Sequence, residues 1–96
     1  MTYLVKYSDR AIETFDAISE QITLRWGLTH VYIFEERTLK VIDTIRESPF
    51  IFQAIDVNPN IRKAFVHKNC SMFYKVSSTY IEVLFFWDNR QDPIFL

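Results

Sequence analysis

Apolar positions along this chain change period once, from steps of three and four in the first half to alternation in the second. A short β-prone run, Tyr3 to Tyr7, comes first and predicts an opening strand. Ser8 then offers a hydroxyl N-cap, with Asp9 in the first turn, where the helix dipole favours negative charge. Ile12, Phe15, Ile18 (or Ser19), Ile22 and Trp26 follow at helical spacing, with Asp16, Glu20 and Arg25 on the opposite face. Gly27, the only glycine, stands where a helix C′ residue is expected. A second helix, capped by Thr29, carries the stripe Val31, Phe34, Val41 or Ile42, and Ile45, and stops at Ser48-Pro49. Two helices joined by one glycine predict an antiparallel hairpin whose apolar faces need a sheet.

Residues 49–61 read as a connector, with Pro49 and Asn58-Pro59-Asn60 as turn signals. Phe50, Ile51, Phe52 and Ile55 are too apolar for a free linker, so the segment is expected to pack over the core. Three strands are then predicted: Arg62–His67, Ser71–Val76 and Tyr80–Trp87, with turns at Lys68-Asn69-Cys70 and Ser77-Ser78-Thr79. In the last strand, alternation puts Ile81, Val83, Phe85 and Trp87 on one face and Leu84 and Phe86 on the other. A strand apolar on both faces is sandwiched or borders a binding surface. With only two helices to cover it, one sheet face is expected to stay open as an apolar, basic-rimmed interaction surface. Alternation also places Lys63, Phe65 and His67 on one face, and Arg62 and Lys68 on the other.

Charge adds a second pattern. Residues 1–56 carry six cationic and nine acidic side chains, a balance of −3, whereas residues 57–81 carry Arg62, Lys63, Lys68 and Lys75 and no acid. The net charge of −1 therefore conceals a basic segment, and it argues against indiscriminate coating of nucleic acid. At 96 residues, 49% of them apolar, the chain is one domain, 1–96, with enough apolar side chains for a core. Cys70 alone allows neither an internal disulfide nor a cysteine-based zinc site. Two isolated histidines and scattered acids give no metal-ligand spacing, and no cofactor is expected. Lys6, Asp9 and Arg10 interrupt any signal-like apolar run, and no membrane-length segment follows. A cytoplasmic protein is the expectation.

The order of elements resembles the RelE/ParE family of bacterial toxins across essentially the whole chain. Its specific pieces are Arg62-Lys63 opening the meander, Met72-Phe73-Tyr74-Lys75-Val76, and Ile81-Glu82-Val83-Leu84-Phe85-Phe86 leading to Arg90-Gln91-Asp92-Pro93. The resemblance implies an α+β fold of strand, two-helix hairpin and three-stranded antiparallel meander. It further implies the toxin of a type II toxin–antitoxin system, neutralised when a cognate antitoxin folds over its sheet and hairpin. Growth inhibition by ribosome-dependent, metal-independent mRNA cleavage is the leading expectation. The alternatives are a non-enzymatic poison of DNA gyrase, or a degenerate toxin kept for antitoxin binding.

For cleavage, the resemblance implies that Arg90 steadies the phosphate in the transition state, a role its forked guanidinium suits. An ion pair of Arg90 with Asp88 or Asp92 is the competing reading. His67, with an ordinary pKa near ~6.5, is the acid/base candidate, sharing proton transfer with Lys63 and Lys68; the alternative is an exposed strand-end histidine. Arg62, Lys68 and Lys75 suit phosphate contacts or an acidic antitoxin segment equally well. Tyr74 either stacks on a base or belongs to the core. Phe95 stands where some RNA-cleaving members carry a tyrosine, and it has no hydroxyl. His30 reads as a surface residue, and Cys70 as a turn thiol near Lys68 without catalytic partners.

Overall fold

The structure, a computed structural model, describes residues 2–90. Gln91-Asp92-Pro93 and Phe95 lie outside the described residues. The order is β1 (Leu4–Tyr7), α1 (Asp9–Trp26), α2 (Leu28–Glu47), β2 (Ala54–Ile55), β3 (Asn58–His67), β4 (Cys70–Val76) and β5 (Tyr80–Asp88). The strands form one sheet in the order β1-β5-β4-β3-β2, antiparallel except for β1, which runs parallel to β5. The expected strand, helical hairpin and meander are all present, widened by the two-residue β2 at the edge.

Each helix begins as local chemistry dictates. Ser8 caps α1, its Oγ accepting from Ala11 N–H at 3.0 Å. Gly27 ends α1 at φ 87°, a conformation that L side chains rarely adopt. That one residue also serves as the N-cap of α2, so the second helix restarts at Leu28 and Thr29 lies inside it rather than capping it. No side chain caps α2, and its first turn holds no acid. The buried stripe of α2 is Val31, Phe34, Thr38, Ile42 and Ile45. It meets Ala11, Ile22, Ala64, Val66, Met72, Tyr74, Ile81, Val83 and Phe86 in one core. Phe15 ties the layers together, stacked on Phe34 at 5.1 Å and edge-on to Phe86 at 5.2 Å.

Asn58-Pro59-Asn60 is not a turn. The reversal falls at Asp56–Val57, and β3 already begins at Asn58. Pro59 is tolerated there because pairing with β4 starts only at Ile61, opposite Lys75.

Two irregularities overturn the simple alternation. Phe73 pairs with Phe85 but Tyr74 pairs with Val83, so β5 carries one extra residue, Leu84. Beyond it the faces exchange: Ile81, Val83 and Phe86 join the helix-side core, while Phe85 turns to the other face and stacks on Phe73 at 4.7 Å. The edge of β5 at this point is tied to α1. Ser8 Oγ donates to the Leu84 carbonyl at 2.6 Å, and Phe86 N–H donates to Thr14 Oγ1 at 2.9 Å. The second irregularity lies between Phe65 and His67 in β3, where Phe65 opposes Ser71 but His67 opposes Cys70. His67 therefore does not share the face of Lys63.

Candidate functional site

The β3 irregularity matters because of where it sends His67. Its ring lines a pocket of about 330 Å³ at the turn end of the β3–β4 hairpin. The walls come from four places: Ile18, Ile22 and Trp26 of α1, His30 of α2, the segment His67–Cys70, and Asp88 with Arg90 after β5. Three of the residues singled out from the sequence, His67, Lys68 and Arg90, thus meet in one cavity.

Arg90 is an ion-pair partner of Asp88. Its Nη2 lies 2.7 Å from Asp88 Oδ2 and its Nε 3.0 Å from Oδ1, a two-pronged fork. Asp88 also accepts from the Arg90 backbone N–H at 2.9 Å. Hydrogen bonding from Arg90 holds the Asp88 carboxyl below the usual carboxylate range, against the opposing effect of burial. Nη1 of Arg90 makes no hydrogen bond to any described residue, and the guanidinium sits 5.3 Å from the Trp26 ring centroid. Asp88 occupies one edge of the guanidinium, and the other meets no hydrogen-bond acceptor among the described residues.

His67 is held below its ordinary pKa, first by burial and then by the positive charges of Arg37, Lys68, His30 and Arg90. The imidazole is therefore neutral at pH 7 and able to accept a proton. His30, read from sequence as a surface residue, is exposed, and it also lines this pocket. Its Nδ1 lies 3.0 Å from the Trp26 carbonyl, which only accepts, so the neutral ring carries its proton on Nδ1 and keeps a lone pair on Nε2. The signal that would have found it is its place one turn beyond the glycine reversal, beside the end of α1.

The other candidates lie elsewhere. Lys63 is on the open sheet face, its Nζ 5.1 Å from the Phe65 ring centroid and 5.9 Å from that of Phe73. Lys75 shares that face, exposed and opposite Glu82. The face is apolar with cationic neighbours but less open than the strand pattern predicts: Phe73 and Phe85 are each 4% exposed, with Arg10 over Phe85, while Phe65 is 62% exposed. Arg62 is turned inward: its Nη1 donates to the Phe52 carbonyl at 2.7 Å, and its guanidinium covers the Phe50 ring at 4.8 Å. Tyr74 is fully buried and its hydroxyl donates to the Pro49 carbonyl at 2.8 Å, so its ring offers no surface to a base. Cys70 lies in β4 rather than in a turn, and burial pushes its thiol up to about 12, the opposite of an activated cysteine. Among the described residues no three His, Cys, Asp or Glu side chains gather in a metal-binding group, and no helix is long and apolar enough to cross a membrane.

No family model and no curated protein matches the chain by sequence. Solved structures do match by shape. A chain of the chromosomal ParDE TA system from P. aeruginosa superposes with a TM-score of 0.75 at 13% identity, over 91% of this chain and 96% of that one. A chain of the E. coli DinJ-YafQ toxin-antitoxin complex matches at 0.66 and 8% identity, over 94% and 96%. The YoeB dimer from Staphylococcus aureus matches at 0.64 and 9%, over 88% and 94%. At such identities the likeness is one of fold, and it spans nearly the whole length of each partner. The chain has the RelE/ParE-like α+β fold that its sequence resembles.

Proposed function

We propose that this chain is the toxin of a type II toxin–antitoxin pair, neutralised by a cognate antitoxin, and that it acts by binding its target rather than by cutting RNA. The observation that carries the first half is the fold, shared end to end with chains from two toxin–antitoxin systems. The surface agrees with a partner that wraps it. Besides the open sheet face, an apolar groove of about 500 Å³ runs between the helices, with Ile12 and Leu39 exposed and Asp16 and Glu35 beside them.

The second half rests on the dispersal of the expected catalytic set. Lys63 lies across the sheet from the His67 pocket, and Arg90 is forked onto Asp88. A gyrase-binding poison needs no such convergence. The rival activity, mRNA cleavage in the ribosome, draws its support from the neutral His67 beside Lys68 and Arg90.

Induced expression in a sensitive bacterium, wild type beside Arg90→Ala and His67→Ala, separates these readings when mRNA integrity is followed by primer extension. Growth arrest with intact mRNA and accumulating double-strand breaks is the expected result. Codon-phased cuts that vanish in either variant overturn the binding mode in favour of a nuclease. Absence of any growth arrest leaves a chain retained for partner binding alone.

A further inference from the structure

The pocket at the end of the hairpin has a charge balance that neither the fold nor the ion pair uses up. Lys68 from the β3–β4 turn, His30 from α2 and Arg90 after β5 line it, and two further cations lie close enough to act electrostatically on lining residues: Arg37 of α2 on His67, and Arg25 at the end of α1 on Asp88. Among the described residues the one acid lining it is Asp88, and Arg90 already occupies both of its oxygens. The uncapped N-terminus of α2, with no acid in its first turn, adds the positive end of a 20-residue helix beside Trp26 and His30. The rest of the wall is apolar: Ile18, Ile22 and Trp26, the last 46% exposed. A volume of about 330 Å³ lies at the small end of the ~300–1,000 Å³ typical of ligand sites.

We infer that this pocket binds a nucleotide, its phosphate held by Lys68, Arg37 and the edge of Arg90 turned away from Asp88, and its base against Trp26 and Ile22. The cationic rim favours an anion and the apolar wall favours a flat apolar group, a combination that a phosphorylated nucleoside meets and a bare phosphate or a carboxylate does not. His67 faces the phosphate as a neutral imidazole, able to donate to it once protonated, and His30 lines the pocket beside it. The site lies on the helix side of the sheet, away from Lys63 and Lys75, and it does not depend on the toxin reading. The nucleotide is either free or the phosphorylated end of a strand.

The chain has two histidines, His30 and His67, so their ring signals report the site by NMR without crowding. Adenosine 5′-monophosphate, adenosine, inorganic phosphate and a short single strand with a 5′-phosphate are titrated in turn at low salt. The expected result is saturable binding of the monophosphate with Kd below about 1 mM. His67 should then titrate at higher pH, because a nearby dianion favours the imidazolium. Adenosine and phosphate alone should each bind more weakly by at least ~tenfold, the worth of one charge-assisted contact. Lys68→Ala and Arg37→Ala, both at exposed positions, should weaken monophosphate binding to a similar degree without altering the far-ultraviolet spectrum. Tight binding of the monophosphate alone identifies a free nucleotide, and preference for the 5′-phosphorylated strand identifies a nucleic-acid end. Phosphate binding as well as the monophosphate does, indifference to both substitutions, or no saturable shift with any of the four would overturn the assignment.

Discussion

The two ends of the β3–β4 hairpin carry similar residues to opposite ends. At the open end, Arg62 and Tyr74 face the helix side, and the connector after α2 supplies a carbonyl to each, from Phe52 and Pro49. Tyr74 commits its hydroxyl to the fold, and Arg62 is held by one carbonyl and by the Phe50 ring that it covers. At the turn end, His67, Lys68 and Arg90 meet His30 around a cavity with a single acid among the described residues, Asp88. The difference is one of supply. The connector contributes backbone acceptors at one end, whereas the helix reversal at the other contributes a positive helix terminus and more cations. A cluster of basic residues in a sequence thus divides into fold-holding and ligand-facing members according to what packs against each.

The sharpest way to break this comparison is Tyr74→Ala. If the open end serves the fold, loss of a fully buried ring and its hydroxyl contact should destabilise the domain by about 3–5 kcal/mol. That is a large share of a stability of roughly 5–15 kcal/mol, and thermal and urea denaturation both measure it. A shift of only a few degrees in Tm would show that the connector does not depend on this anchor.

Asp88→Asn probes the turn end, where a smaller effect is expected. Arg90 is about a third exposed, so solvent screening limits the loss at neutral pH to about 1 kcal/mol. The sign with pH is set by the lowered Asp88 pKa. The stabilising pair is fully present above the ordinary carboxyl value of 3.8, and it is lost as pH falls through the lower folded value. Wild type and variant should therefore converge in strongly acid urea titrations. A difference that persisted at low pH would assign the effect to packing instead.

The smallest expected effect belongs to His67→Gln. The folded pKa of His67 lies below 6.5, so the unfolded chain takes up the proton first. Wild-type stability should fall, relative to the variant, as pH drops from 6.5 through that lower value. The variant should lack this component of the pH dependence. The groups that set the effect are Arg37 and His30 on α2, Lys68 in the turn, and Arg90 beyond β5, with Asp88 the acid in the same pocket. Equal pH profiles for the two proteins would mean that His67 is not crowded by cations.

Much of the architecture was legible because local rules and tertiary packing agree. The stripe of α2, the Ser8 cap and the glycine stop depend on near neighbours in sequence, and each appears as read. The α1 stripe holds at Phe15, Ile18 and Ile22, whereas Ala11 is buried in place of Ile12, and Ile12 and Trp26 are exposed. The misreadings share a cause. Thr29 and Asn58-Pro59-Asn60 have good local chemistry for a cap and a turn. Yet the positive φ of Gly27 restarts the helix within one residue, and pairing with β2 carries Asn58 into a strand. The candidate site was only half visible. His67, Lys68 and Arg90 stand out by type, but nothing in their spacing points to His30 or assigns Arg90 to Asp88.

By itself, the sequence determined the elements, their order, the polarised charge and the existence of an apolar strand with two faces to cover. Which side each residue serves was decided only by the tertiary structure. A strand has a period of two, so the single extra residue at Leu84, and the slip between Phe65 and His67, reverse the face of everything beyond them. Those slips are set by cross-strand pairing and, at Leu84, by the hydroxyls of Ser8 and Thr14, more than seventy residues away in the chain. They send Phe85 to the open face and His67 into the pocket.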